Sequence, residues 1–306
     1  MPLRGLIGLV GARSQPGCSK ASWGGVATSP GLAFTLSARE FGGAVTPNYS
    51  AATLGALNVA TFANLAMGAR SATTNLTGRI DSGSTSAGSW SSGSASVSVT
   101  TAIRRATPDN PDGPYTALAF GIAPTDPDSV AMNTLDLDVD GVGGNDHRNV
   151  GVSTAVRFGR LRLQNALGSE RIDLPIPAVL QHWNGTAFAF VTNMDDSCTT
   201  LTATNLSLGS YTGGITAINM GNSHITPATI SFSVSPGVGD LKLTKPSPLP
   251  ASPGSTTLTV DLGAEAKTYL QGNWGVATYT ANPSSRAAFG LYGAQPRNFI
   301  FFRENY

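Results

Sequence analysis

Asp136-Leu-Asp138-Val-Asp140-Gly141 is the segment whose residue types and spacing come nearest to chemistry. Alternate carboxylates running into a glycine resemble the opening of a calcium loop, where side-chain oxygens converge and Gly permits the turn. Asp136, Asp138, Asp140, Asn145 and Asp146 are therefore candidate calcium ligands, and calcium is the one cofactor the sequence raises. The twelfth position, counted from Asp136, is His147 where such loops carry a bidentate Glu. The same pattern also suits a strand with a solvent-facing Asp row that ends in a Gly turn.

Asp195-Asp196 is a second acidic pair. Neighbours on an extended segment point to opposite faces, which suits a turn cap better than an acid–base dyad. His147, His182 and His224 are the three histidines, and none lies at zinc-ligand spacing from another. No GxSxG elbow, GxxxxGK[ST] loop or strand-borne GxGxxG occurs. These readings predict a protein that is not an enzyme. Trp183-Asn184-Gly185, beside His182, is a candidate ligand-binding patch, because sugars stack on exposed aromatic rings next to amides. For Trp183 and Trp274 the preferred reading is a core anchor whose ring N–H finds a backbone partner. Trp90 sits in the Ser/Gly stretch Asp81–Ser94 and is expected to be exposed; Trp23 is a further candidate.

The elements that must position these residues read as strands throughout. Of 306 residues, 12% are charged, well below the roughly 25% usual for soluble domains, and Gly, Ser, Thr, Ala and Asn fill the gap. The 36 Gly and 19 Pro are spread along the chain, as punctuation between many short strands requires. Ala95–Arg104 alternates with Val97 and Val99 on one face. In Val152–Leu163, Val156 and Phe158 share a face, while Leu161 and Leu163 fall out of phase; a β-bulge at Gly159 would return both to the core. Only Ala264–Gln271 could form a helix. The expected fold is all-β: an irregular segment over 1–29, an immunoglobulin-like β-sandwich over 30–107, and a larger antiparallel β-sandwich over 108–306. The boundary is placed at the turn-dense Thr107–Tyr115.

A formal net charge of +1 gives no footprint for nucleic acid. Arg157, Arg160 and Arg162 lie inside an apolar strand pattern and read as outward strand residues or ion-pair partners. No stretch approaches the ~20 apolar residues of a membrane-spanning helix. The apolar run Leu6–Val10 falls short of a signal-peptide core, so either Met1 is expected not to be the natural start or the chain is expected to be a fragment. The two cysteines, Cys18 and Cys198, allow one disulfide or two unpaired thiols.

VRFGRLRLQNALGSERIDLPIPAVLQHWNGTAFAFVTNMDDSC from Val156 and WGVATYTANPSSRAAFGLYGAQPRNFIFFRENY from Trp274 resemble the C-terminal part of the MshQ family, with FTLSAREFGGAVTPNY from Phe34 and GPYTALAFGIAPTDPDSV from Gly113 as weaker blocks in the same order. Members accompany the mannose-sensitive haemagglutinin type IV pilus. Their C-terminal region is a domain of unknown function, and longer members carry an upstream lectin-like module. The resemblance implies an extracytoplasmic protein, secreted, periplasmic or at the cell surface, with a role in pilus biogenesis or adhesion. It implies pilus or cell-envelope proteins, or surface glycans, as partners. It also implies a Cys18–Cys198 disulfide. The other readings are a carbohydrate-binding module and a hydrolase with a carboxylate site outside the known motifs.

Overall fold

The computed structural model describes residues 6–14, 32–40, 42–50, 64–80, 85–100, 103–105, 110–125, 131–132, 134–187, 189–196, 199–233, 235, 237–248 and 253–291. The expected all-β class holds. Among these residues the helical segments are single 3-10 turns, and all strand pairs but one are antiparallel.

The main strands of the first unit are β1 (Leu6–Ser14), β2 (Leu32–Arg39), β3 (Asn64–Ser71), β4 (Ser94–Thr100), β5 (Tyr115–Thr125) and β6 (Arg148–Val156). β4 shows how sequence becomes packing. Its Ala95, Val97 and Val99 are buried and its Ser94, Ser96 and Ser98 are exposed, as a period of two dictates. They stand opposite Leu36, Phe34 and Leu32 of β2. β1 and the short strands Thr85–Ala87 and Trp90–Ser91 complete this sheet. A second sheet runs Thr74–Asn75, β3, β5, β6. Leu118, Phe120 and Ile122 of β5 and Val150 of β6 share one core with the β2 and β4 row. Each such fully buried side chain contributes ~1.5–3 kcal/mol.

The second unit starts at β7 (Gly159–Leu163) and continues through β8 (Ala178–Trp183), β9 (Phe190–Thr192), β10 (Leu206–Gly213), β11 (Gly254–Val260) and β12 (Ser284–Phe289). β7, β8 and β9 form one sheet, with Val238–Gly239 also paired to β8. β10, β11 and β12 form another, extended by Ala166–Gly168, which pairs with β12 in the one parallel contact. Leu161, Leu180, Phe232, Leu258 and Phe289 meet in its core.

Four expectations are corrected. The boundary at residues 107–108 falls inside the first unit, because β3 pairs with β5 along its whole length and both sides of that turn feed one core. The phase change at Gly159 is not a bulge. β6 ends at Val156 in the first core, and β7 begins at Gly159 in the second, so the chain changes sheets there. The 1–29 segment contains β1, whose apolar residues pair with β2. The one candidate helix, 264–271, holds only a single 3-10 turn, Thr268–Leu270. Cys18, Cys198 and Trp23 lie outside the described residues.

Candidate functional site: the seam between the two cores

Arg105 leaves the first unit and ends in the second. Behind it, Ile103 is fully buried in the first core and bridges Ile80, and the Arg104 N–H donates to the Arg79 carbonyl. These contacts fix the direction in which Arg105 projects. Its guanidinium then donates to four carbonyls of the second unit: Nη1 to Tyr279 at 3.0 Å, and Nη2 to Gly159 at 2.5 Å, to Gln271 at 3.1 Å and to Tyr269. Two of these acceptors cap the 3-10 turn Thr268–Leu270, where helical carbonyls have no partner of their own. Tyr269 and Leu270 are buried and hold that turn in the second core. Burial lowers the Arg105 pKa to about 10, against the attraction of Asp112 and Tyr279, so the group stays cationic at neutral pH. The four bonds from Nη1 and Nη2 offset the cost of burying the charge, while the buried Nε has no hydrogen-bond partner.

Beyond Arg105 the outward face of β7, β8 and β9 carries alternating rings and cations. Arg105 lies 4.0 Å over the Phe158 ring. Phe158 meets Tyr279 edge-on at 5.1 Å, and Tyr279 stacks with Phe190 at 5.9 Å. Arg160 lies 3.7 Å over Phe190 and 4.7 Å over Trp274. Its Nε donates to Gln181 Oε1 at 3.0 Å, and its Nη1 to Asn273 Oδ1 at 3.3 Å. Burial lowers the Arg160 pKa; Tyr279 works against that and Arg162 with it. Cation–ring pairs of this kind are worth ~0.5–2 kcal/mol each. The row contains no carboxylate, and guanidinium groups lie over the rings of Phe158, Phe190 and Trp274.

The acidic loop is placed quite differently from a calcium cradle. Asp136 accepts from the Asn149 N–H and pairs with Arg148 at 2.8 Å. Asp138 accepts from the Gly141 N–H and pairs with Arg70 at 3.1 Å. Asp140 accepts from the Val142 N–H, and Asn145 donates to the Leu135 carbonyl. Asp146 accepts from the Val139 N–H and lies 3.0 Å from His147 Nδ1. Burial pushes the Asp146 pKa up, but the Val139 N–H and His147 outweigh it and hold the carboxyl below its usual range. Each of the five side chains is engaged by a backbone group of the loop or its strand, and among the described residues no three His, Cys, Asp or Glu groups form a metal-holding cluster. The loop instead seats on the sheet. A Cβ on Gly68 or Gly121 would come within 2.7 Å of Val139 or 2.6 Å of His147, so the two glycines form the notch that receives it.

Trp90, expected exposed, is 3% exposed and meets Tyr49 edge-on at 5.2 Å. The serines and glycines around it belong to the sheet edge, where short strands Thr85–Ala87 and Trp90–Ser91 pair with β4. Trp183 is half-buried, and its Nε1 donates to the Thr186 carbonyl within its own turn. Asp196 is fully buried and caps Thr199 through both oxygens, while Asp195 pairs with Arg157 at 2.6 Å. Sequence reasoning passed over Arg105 altogether. Its partners are backbone carbonyls, which every residue carries, so no side-chain pattern marks them.

His182 of β8 pairs with Gly159 of β7 and is half-buried. Burial lowers its pKa, the Arg157 cation lowers it further, and Asp195 partly opposes them. The neutral form is thus favoured on folding. Stability is fully present above the unfolded value near ~6.5 and is lost as pH falls through the lower folded value. Urea unfolding at neutral pH and again in mild acid is expected to show this loss in the wild type and a smaller one in His182→Gln.

Residues 12–149 match the family described as DUF6701, third domain, and residues 157–305 match DUF6701, fourth domain. The two matches meet where the chain passes from the first core to the second. No curated protein matches the sequence. Among solved structures, the adhesin InvE of Yersinia pseudotuberculosis superposes with a TM-score of 0.28 and 12% identity, over 92% of this chain and 58% of that one. The surface layer protein SbsC, domains 4-9, gives a TM-score of 0.17 and 11% identity, over 84% of this chain and 30% of that one. This chain therefore spans a little over half of InvE and under a third of that SbsC structure.

Proposed function

Because the chain belongs to the DUF6701 family, whose third and fourth domains it carries in order, we propose that it is a stiff, non-catalytic part of an extracytoplasmic surface protein serving MSHA-type pilus biogenesis or adhesion. The observation that carries the structural half of this reading is the Arg105 joint. One side chain of the first unit is held by four carbonyls of the second, under a cover of stacked rings. An enzyme positions groups that react; this seam positions groups that hold. A part that sets the distance between a cell-envelope anchor and a partner needs such a joint, because a free hinge would let its two ends wander. The pilus half rests on the MshQ-like blocks from Val156 and Trp274. Pilus or cell-envelope proteins are the partners it implies.

The test is genetic. An in-frame deletion is expected to reduce pilus number or surface attachment, and the wild-type gene to restore it. Unchanged pili and unchanged attachment would sink the reading.

A further inference from the structure

Asn205, Glu265 and Lys267 make a constellation that the seam does not use. Glu265 Oε1 accepts from Asn205 Nδ2 at 3.1 Å, and its Oε2 accepts from Lys267 Nζ at 2.8 Å. One carboxylate thus holds an amine and a carboxamide, one on each oxygen. Its side chain is 4% exposed and that of Lys267 16%. The scaffold presses the three together. Asn205 ends a 3-10 turn just before β10, and its carbonyl accepts from the Asp261 N–H. Asp261 caps the following turn through Gly263 and Ala264, and Ala266 adopts a φ of 52°, which brings Lys267 back to donate its N–H to Leu262. A non-glycine residue held at positive φ marks a place where the surroundings impose the geometry. Leu206, Leu262 and Leu270, close to the triad in sequence, are buried in the second core.

We propose that this triad forms an intramolecular isopeptide bond between Lys267 Nζ and Asn205 Cγ, with Glu265 as the catalytic residue. In the resting ion pair, burial pushes the Glu265 pKa up, and the Lys267 ammonium, the Thr202 N–H and the Asn205 amide together bring it down. A proton passes from Nζ to Oε2 along their hydrogen bond, leaving a neutral amine. The Nζ lone pair attacks Asn205 Cγ and a new C–N bond forms. Glu265 passes the proton taken from Nζ to Nδ2, to which it is already hydrogen-bonded, and the Cγ–Nδ2 bond breaks to release ammonia; the second proton that Nζ sheds on becoming an amide nitrogen crosses the same carboxylate to that ammonia. The ammonium and carboxamide become a secondary amide and an ammonium ion, and Glu265 returns to a carboxylate. No oxidant, metal or cofactor enters the balance. The product ties the turn after β11 to the start of β10, so β10 and β11 become covalently closed at the end where Leu206 pairs with Val260.

Intact-mass spectrometry of folded wild type and Lys267→Arg tests this. Arginine keeps a cation against Glu265 but is not acylated under these conditions. The wild type is expected to be lighter than its sequence mass by one ammonia, and its digest to contain one branched peptide joining Asn205 to Lys267. Lys267→Arg, with its fold checked by circular dichroism, is expected at full sequence mass. A folded wild type at full mass overturns the proposal, and so does an ammonia loss that persists in Lys267→Arg.

Discussion

Phe120→Ala is expected to cost about 3–5 kcal/mol, as removal of a fully packed aromatic side chain does. Phe120 is 1% exposed and lies on β5, beyond the turn at 107–115. Its core partners include Leu36 and Val97, which lie before that turn. The damage is therefore expected to reach β2 and β4. Urea unfolding measures the cost, and hydrogen exchange locates it. Protection lost only after residue 110, with β2 and β4 unaffected, would restore the boundary at 107. Phe232→Ala in the second core, at 0% exposure, serves as the counterpart of similar size.

Arg105→Met is expected to cost about 2–4 kcal/mol. Methionine keeps much of the aliphatic stem but donates nothing, so four carbonyls lose their donor at once and Phe158 loses the cation over its ring. Arg105→Lys is expected to fall between the two. An ammonium keeps the charge, but it is a compact group that cannot reach carbonyls spread across both arms of a planar guanidinium. Far-UV circular dichroism in urea reads both variants. A cost for Arg105→Met within a few tenths of a kcal/mol of wild type would remove the joint from the account.

How far the fold could be read from the sequence differs by element. β4 was plain, because serine and valine alternate there and nothing interrupts the period. The junction at Gly159 left a visible trace, since Leu161 and Leu163 slip out of phase with Val156 and Phe158. A phase change does not say whether a strand bulges or changes sheets; the partners decide, and β6 and β7 have different ones. β3 was hidden. Asn64–Ser71 has no β-branched or aromatic residue, and its glycine is there to receive the acidic loop. The turn 107–115 looked like a linker because turn formers look alike within a domain and between domains. In the site the contrast is sharper. The acidic run drew attention through its spacing, yet its carboxylates cap their own loop. Arg105 had no spacing to show, and Asn205 lies far in sequence from Glu265 and Lys267, so only folding brings the three together.

The joint can be tested through a consequence of linkage: an interface energy is shared equally by the two units it joins. Whichever unit opens first must break the same bonds from Arg105. Native-state hydrogen exchange measures the opening free energy of each unit separately. Leu36 in β2 reports the first unit and Leu258 in β11 the second, both being fully buried on central strands. The account predicts that Arg105→Met lowers the opening free energy at both strands, and by the same amount. A loss confined to one unit, or no loss in either, would contradict it.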